Sequence, residues 1–196
     1  MIPILILAAG RSSRMGGRDK LLEDVGGISL LRRQVLMALE VGQPVFVALP
    51  PNAPARQAAI AELDATVMTV RESAEGMSGT MRGAVRCLPD APAFMITLAD
   101  LVALESSDLL AVLKARTAQP DYIVWRGATA VGKPGHPILF DASLRPAFAD
   151  LAGDGGGESL VKKLRDKTYL VPLPDNRARF DLDTPEDWDR WRASTP

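Results

Sequence analysis

Short, uninterrupted apolar segments recur along the first half of the chain, and each ends in polar or helix-breaking residues. Such segments are typical of strands that are buried on both faces of a parallel sheet. Stretches with the residue spacing of helices lie between them, beginning at Leu30, Ala55 and Ser106. This alternation predicts an α/β fold with a mostly parallel central sheet. The predicted strands are 2–7, 44–49, 65–70 and 93–98.

The pattern becomes less regular after about residue 120. Strand-like segments occur at 121–125, 136–140 and 168–173, and a helix is predicted from Ser143. No linker, internal repeat or low-complexity tract divides the sequence. We therefore predict one domain over residues 1–196.

The segment LAAGRSSRMGGRDKLL, residues 7–22, follows the first predicted strand. Its glycines allow the backbone to turn and to approach a ligand closely, and successive N–H groups in such a turn bind anions. Because ligands of parallel sheets bind beyond the carboxyl ends of the strands, we expect Asp100 at the same edge. The glycines and cationic residues are Gly10, Gly16, Gly17, Arg11, Arg14, Arg18 and Lys20.

Two familiar glycine-rich motifs do not match the chain. The dinucleotide motif G-x-G-x-x-G requires another glycine spacing and an acidic residue after the second strand, where this chain has prolines. The phosphate loop G-x-x-x-x-G-K-[ST] is approached by GATAVGKP at 127–134, but Pro134 has no hydroxyl and no helix starts cleanly there. The sequence therefore disfavours a nicotinamide dehydrogenase and a P-loop enzyme.

The composition excludes binding through a global charge. The chain has 23 Lys and Arg against 24 Asp and Glu, so no overall field would hold it on nucleic acid or on a membrane surface. Its single cysteine, Cys87, lies in an apolar helical pattern and is predicted to be in the core. One cysteine forms no intramolecular disulfide, and no export signal or long apolar segment is visible, so we expect a cytoplasmic protein.

Taken together, the motifs resemble a known enzyme family. LAAGRSSRMGGRDKLL is similar to the signature L-A-[AG]-G-x-S-x-R-M-G, followed by a lysine, of nucleotidyltransferases that resemble molybdenum cofactor guanylyltransferase and cytidylyltransferase. Further matches follow in the family's order over nearly the whole chain. The resemblance implies a single-domain, Rossmann-like, three-layer αβα nucleotidyltransferase fold. The further matches are GMSGTMRGAV (76–85), LAD (98–100), GHPILF (135–140) and DLDTPED (181–187).

The resemblance also implies a reaction and its catalytic residues. A phosphate of an acceptor attacks the α-phosphorus of a nucleoside triphosphate and expels pyrophosphate. Arg14 and Lys20 hold the triphosphate and stabilise the developing charge, while Asp100 coordinates Mg²⁺, with Mn²⁺ as an alternative. Asp183, or Asp181, is either a second metal ligand or a residue that stabilises the turn before the last helix. The implied nucleotide-binding residues are Leu7, Ala8, Ala9, Gly10, Arg11, Ser12, Gly16, Ser78 and Thr80.

Residue 9 bears on the choice of base. Relatives that transfer a guanylyl group tend to read L-A-G-G, and those that transfer a cytidylyl group tend to read L-A-A-G. Ala9 gives this chain the second form, so the resemblance favours CTP over GTP. Ser78 and Thr80, near the predicted start of a helix, are expected to contact the base or the ribose.

The acceptor is expected to lie against residues 121–196, and the nucleotide against residues 1–120. His136 is either a contact to the acceptor or a structural histidine, and the resemblance assigns Asp154 to the acceptor. The chain departs from the family pattern G-D-x-G-A-R, because GDGGGE places the acidic Glu158 where relatives have a basic residue. The family's proline after the metal-binding aspartate is also missing, since Leu101 and Val102 follow Asp100.

Three functions remain open. The first is a CTP-dependent transferase for molybdopterin or the molybdenum cofactor, with transient contact to a molybdoenzyme or its chaperone. The second keeps the chemistry but uses another small phosphorylated acceptor, which the departure at GDGGGE supports. The third is a non-catalytic chaperone for molybdenum cofactor maturation. The presence of both Lys20 and Asp100 argues against the third.

Overall fold

The structure, a computed structural model, describes residues 1–153 and 155–194. A seven-stranded, mostly parallel sheet forms the centre of a single α/β domain, as the sequence predicts. The strands are β1 (Ile4–Leu7), β2 (Asp24–Val25), β3 (Ile28–Ser29), β4 (Val45–Leu49), β5 (Thr66–Thr69), β6 (Ala93–Leu98), β7 (Val124–Ala128), β8 (Pro134–Asp141) and β9 (Thr168–Pro172). The helices are α1 (Leu30–Leu39), α2 (Pro54–Ile60), α3 (Met77–Cys87), α4 (Ser106–Ala118), α5 (Glu158–Lys163) and α6 (Pro185–Ser194).

The order of the strands brings the ends of β1, β4 and β6 together. Across the sheet the order is β5, β4, β1, β6, β8, β7 and β9, and β2 and β3 form a separate hairpin. β1 pairs in parallel with β4 and β6, so Leu7 lies opposite Ala48 and Leu98. β8 is antiparallel to β6 and β7, whereas β9 is parallel to β7. The less regular second half of the chain therefore extends the same sheet.

Side chains of β1 alternate between the two sides of the sheet. Ile4 and Ile6 pack in one core cluster with α1, α4 and Trp188, while Leu5 and Leu7 pack in another with α3 and Phe148. All four side chains are buried because helices cover both faces, which explains the continuous apolar run. Within 1–153 and 155–194, no helix is long and apolar enough to cross a bilayer.

Three local predictions can be compared with the structure. Residues 129–133 join β7 to β8 as a hairpin, with the N–H of Thr129 donating to Lys133, so the expectation that no helix starts in GATAVGKP is confirmed. The helix predicted from Ser143 is instead a 3₁₀ segment over Ala142–Phe148, and it contains Pro146, which disfavours an α-helix interior. The core prediction for Cys87 is wrong, because this last residue of α3 is exposed.

The last helix begins with a capping box. The hydroxyl oxygen of Thr184 accepts from the N–H of Asp187 at 3.2 Å, and Oδ2 of Asp187 accepts from the N–H of Thr184 at 3.0 Å. Trp188 is fully buried and meets the ring of Trp191 edge to face. These contacts fix the position of Asp183 just before the helix.

Candidate functional site

A cavity of about 400 Å³ opens where β1 and β6 end. Residues 7–11 line one part of it and residues 73–77 line another, and Leu21 and Leu98 also contribute. The carboxyl edge of the parallel strands thus carries the cavity, as the sequence predicts. The predicted site residues that line it are Leu7, Ala8, Ala9, Gly10, Arg11, Lys20, Thr80 and Asp100.

The loop after β1 reverses direction at two glycines. Gly16 and Gly17 have φ values of 60° and 91°, a region of backbone conformation that favours glycine. Met15, just before them, is completely buried and attaches the loop to the core. Ser12 also has a positive φ, and its hydroxyl accepts from the N–H of Lys20 at 3.2 Å. Ser12 and Gly16 therefore shape the loop and do not line the cavity.

Arg56 of α2 makes several hydrogen bonds to the same loop. Its guanidinium donates to the carbonyl oxygens of Ala8 (2.6 Å) and Gly10 (2.8 Å) and to both carboxylate oxygens of Asp19. Asp19 in turn accepts from the N–H of Leu21 at 3.1 Å. Because Arg56 is only 6% exposed, these hydrogen bonds are shielded from water. They fix the backbone on both sides of the glycines.

Lys20 joins residues from distant parts of the chain. Its Nζ lies 2.5 Å from Oδ2 of Asp100 and 2.9 Å from Oδ1 of Asp183. Burial lowers the pKa of Lys20, but the two carboxylates outweigh this effect and raise the pKa above its usual value. The ammonium group is therefore charged at neutral pH. Arg14 is more exposed and pairs with Oδ2 of Asp183 at 2.7 Å.

Three carboxylates at this edge form a group suited to a hard cation. Oxygen atoms of Asp100, Asp181 and Asp183 lie within 4.8 Å of one another. Oδ1 of Asp100 is buried and has no hydrogen-bond partner among the described residues, so one lone-pair-bearing atom is left for a metal. Asp181 is an exposed residue, yet partial desolvation of its carboxylate and then the two neighbouring carboxylates raise its pKa. An all-oxygen set of this kind suits Mg²⁺ or Mn²⁺.

Ser78 and Thr80 lie in the first turns of α3, where the sequence predicts a helix start. The hydroxyl of Thr80 donates to the carbonyl of Gly76 at 3.0 Å, and the residue lines the cavity. Ser78 is 1% exposed and its hydroxyl donates to the carbonyl of Ala152 at 3.2 Å. Thr80 thus lies beside the cavity, whereas the hydrogen bond of Ser78 connects α3 to the backbone of Ala152.

A second, smaller cavity of about 240 Å³ adjoins the first, since Leu7, Met77 and Leu98 line both. His136 of β8 lines the second cavity, with its Nδ1 3.5 Å from the carbonyl of Ile96. Burial, with a further contribution from Arg126, lowers the pKa of His136 from 6.5 to about 4, so the imidazole is neutral at pH 7. Asp154, the other residue predicted to contact an acceptor, lies outside the described residues.

The sequence does not single out Arg56 or Arg126, although both are buried, Arg56 against the loop after β1 and Arg126 in the lining of the smaller cavity. Arg126 gives one signal, because it is a charged residue directly after the apolar run of a predicted strand. Arg56 gives none, since a helical arginine outside any motif is ordinarily a solvated side chain. Only the packing of α2 against the loop assigns it a role.

Similar folds occur among solved structures. Rv0371c from Mycobacterium tuberculosis H37Rv is 26% identical, with a TM-score of 0.83 over 96% of this chain and 95% of that one. Another structure of that protein, in complex with manganese, has a TM-score of 0.75 at 24% identity over 99% of both chains. The nucleotidyl transferase Mth528 from Methanothermobacter is 23% identical, with a TM-score of 0.77 over 99% and 97%.

A structure of CMP:2-keto-3-deoxy-manno-octonic acid synthetase with CTP has a TM-score of 0.78 at 15% identity, over 99% of this chain and 98% of that one. Among curated proteins, none matches the chain significantly. A family model does match, and it covers residues 4–168, from β1 to the start of β9. This stretch includes the loop, Lys20 and Asp100. The chain therefore belongs to the family of the MobA-like NTP transferase domain.

Proposed function

We propose that this nucleotidyltransferase moves CMP from CTP onto the phosphate of molybdopterin or its molybdenum form and releases pyrophosphate. The observation that carries the proposal is the convergence of Lys20, Asp100 and Asp183 beside a glycine-rich, cationic loop. Phosphoryl transfer needs positioning and charge neutralisation more than a protein nucleophile. In this proposal residues 1–120 bind the nucleotide and residues 121–196 bind the acceptor.

The nucleotide would lie in the 400 Å³ cavity where β1 and β6 end. The backbone of residues 8–17 would receive the triphosphate, and Arg11 at the cavity would add charge. Thr80, which lines this cavity, would contact the base or ribose, and Ser78 would act by positioning the segment that contains Ala152. Ala9 and the CTP bound by the structurally similar synthetase both support CTP as the substrate.

Asp100, Asp183 and Asp181 would hold the divalent cation, Mg²⁺ or Mn²⁺. The manganese complex of the mycobacterial relative supports this assignment, as does the unpartnered oxygen of Asp100. When bound, the cation would supply neutralising charge to the phosphate oxygens. The carboxylates also position Lys20, because both ion pairs hold its ammonium at the edge of the cavity.

The reaction forms one bond and breaks one. An oxygen of the acceptor phosphate would attack the α-phosphorus, and the bond from this phosphorus to the β-phosphate oxygen would break, with its electron pair leaving on pyrophosphate. Lys20 and Arg14 would stabilise the negative charge on the leaving group. No proton has to be removed from an ionised acceptor phosphate, so a general base is not required. The neutral imidazole of His136 is then a contact to the acceptor.

A second candidate acceptor, another small phosphorylated molecule, is supported by Glu158. This acidic residue lines the smaller cavity and pairs with Arg126 at 3.1 Å. The chemistry at Lys20 and Asp100 would be unchanged. A non-catalytic chaperone would instead bind nucleotide without releasing pyrophosphate.

Pyrophosphate release tests the proposal. The purified protein is incubated with Mg²⁺ or Mn²⁺, with molybdopterin or its molybdenum form, and with CTP, GTP, ATP or UTP in turn. We expect release with CTP that Lys20→Ala abolishes and that Lys163→Ala, an exposed lysine of α5, leaves intact. Release with another nucleotide would contradict the base assignment. Nucleotide binding without release in any mixture would contradict transfer to this acceptor.

A further inference from the structure

An ion pair between Arg126 and Glu158 separates two cavities on the side of β7 and β8. Both residues line the 240 Å³ cavity that adjoins the nucleotide cavity. Both also line a larger cavity of about 700 Å³, to which Lys162 and Arg165 contribute. A molecule in the smaller cavity therefore contacts the pair on one side and the nucleotide site on the other.

Arg126 is the fixed member of the pair. It is 7% exposed, and its Nε donates to the carbonyl of Gly135 at 2.9 Å, while one terminal nitrogen donates to Oε2 of Glu158 at 3.1 Å. The side chain of Glu158 is 49% exposed and has a second carboxylate oxygen. The pair has no net charge, yet it presents N–H donors beside a carboxylate acceptor.

Apart from this pair and His136, the smaller cavity is lined by apolar side chains and glycines. Met77, Met81 and Phe140 belong to its lining. The glycine run, residues 155–157, packs directly on α3. A Cβ at Gly156 would overlap Met77, and a Cβ at Gly157 would overlap Met81. Because residues 155–157 are glycines, they add no side chains to this wall of the cavity. Apolar walls with few polar groups are typical of sites for uncharged rings.

We propose that this cavity binds an uncharged heterocyclic ring of the acceptor and that Arg126 and Glu158 recognise a lactam edge on it. Arg126 donates to the ring carbonyl, and Glu158 accepts from the adjacent ring N–H. The inference rests on the proposed function, because it assigns the ring to the acceptor molecule of that reaction. It makes Arg126 and Glu158 determinants of specificity for a part of the acceptor that does not react.

The existing ion pair favours a lactam over an anion. An anionic group on Arg126 would have to displace Glu158 or lie beside it, which leaves like charges close together in a partly desolvated site. A lactam edge binds both partners and leaves the pair intact.

Free pterin, a fluorescent ring with a lactam edge, is a suitable probe. Its binding to the full chain in the presence of CTP and Mg²⁺ is compared with that of 3-methylpterin, which lacks the ring N–H. We expect wild type to bind pterin about tenfold more tightly than 3-methylpterin, the effect of one charge-assisted hydrogen bond. Glu158→Gln should lose most of this preference, and the matched variant Lys163→Gln on the same helix should keep it.

The ratio between the two probes separates recognition from simple destabilisation, since a loosened cavity weakens both probes alike. Equal binding of the probes by wild type, failure of both to bind, or an unchanged ratio in Glu158→Gln would overturn the proposal. Competition of inorganic phosphate with pterin would also overturn it and would assign Arg126 to an anionic group.

The outcome is separable from that of the proposed reaction because the binding measurement needs no turnover. Pyrophosphate release with molybdopterin that is unaffected by Glu158→Gln would support the transfer reaction and overturn the ring assignment. A pterin preference that depends on Glu158, without pyrophosphate release, would support the ring site and contradict the transfer.

Discussion

The Nζ atom of Lys20 lies 2.5 Å from Oδ2 of Asp100, although the two residues are 80 positions apart in the chain. The same nitrogen contacts Asp183 at 2.9 Å. Lys20 therefore pairs with two of the three carboxylates that a divalent cation would also use. A cation and the ammonium group would compete for these carboxylates, and phosphate groups provide the alternative partner for Lys20.

Removal of the Lys20 ammonium should strengthen metal binding while it weakens catalysis. We expect Lys20→Met to bind Mn²⁺ about tenfold more tightly than wild type in the absence of nucleotide, because the carboxylates lose a competing cation. Electron paramagnetic resonance of free Mn²⁺ measures the affinity. The exposed variant Lys163→Met serves as the control. Equal or weaker Mn²⁺ binding by Lys20→Met would show that ammonium and metal do not share ligands.

The hydrogen bonds of Arg56 should matter for rate more than for folding. Arg56→Lys keeps the positive charge but cannot make the same set of bonds to Asp19, Ala8 and Gly10. We expect kcat/KM for CTP to fall about 10- to 100-fold, since the loop backbone that we propose to receive the phosphates is less well positioned. Pyrophosphate release and thermal unfolding are measured on the same preparations.

Arg32→Lys is the matched control, because Arg32 donates to the carbonyl of Ala59 on α2 and, among the described residues, makes no side-chain hydrogen bond or ion pair to the loop after β1. Asp19→Asn should resemble Arg56→Lys, and the double variant should be little worse than either single one. Additive losses would mean that Arg56 and Asp19 act independently.

Stability should depend on pH through His136. Its pKa is about 4 in the folded protein and 6.5 when unperturbed, so between these values the unfolded chain takes up a proton that the folded chain does not. The free energy of unfolding should therefore fall as the pH falls from about 6.5 to 4, by up to about 3 kcal/mol from this residue.

Urea unfolding at pH 7 and at pH 4.5 measures this dependence. His136→Asn has no titrating ring, and the difference between its stabilities at the two pH values should be smaller than in wild type. Because each protein is compared with itself at the two pH values, the pH-independent effect of the substitution on the free energy of unfolding cancels. An equal pH dependence in both proteins would show that His136 is protonated in the folded state.

Gly79 should be intolerant of a side chain for a local reason. A Cβ on this residue of α3 would overlap the carbonyl oxygen of Glu72, whereas a Cβ at Gly10 meets no atom within 4 Å. We expect Gly79→Ala to lower the free energy of unfolding by about 1–3 kcal/mol and Gly10→Ala to change it little. Equal thermal midpoints for the two variants would show that the segment before α3 moves aside without cost.

The local pattern of the sequence was sufficient for the fold class and for the edge that carries the site. Continuous apolar runs required strands with both faces covered, and parallel strands required Lys20 and Asp100 to follow the same edge. Local sequence also specifies the start of α6, because the capping box joins Thr184 and Asp187, which are three residues apart. By contrast, Cys87 fits an apolar helical pattern and yet is exposed, since burial depends on which face the neighbouring elements cover.

The tertiary structure decided which charged groups meet. Arg56 reaches Asp19 only because α2 packs against the loop, and Arg126 meets Glu158 only because the glycine run returns α5 to β7. The sequence by itself determined the alternation of strands and helices, the glycine-rich and cationic character of the opening loop and the membership of Lys20 and Asp100 in one site. Only the folded chain decided the partners of each charge, because hydrophobic periodicity acts over a few residues whereas an ion pair depends on how distant segments pack.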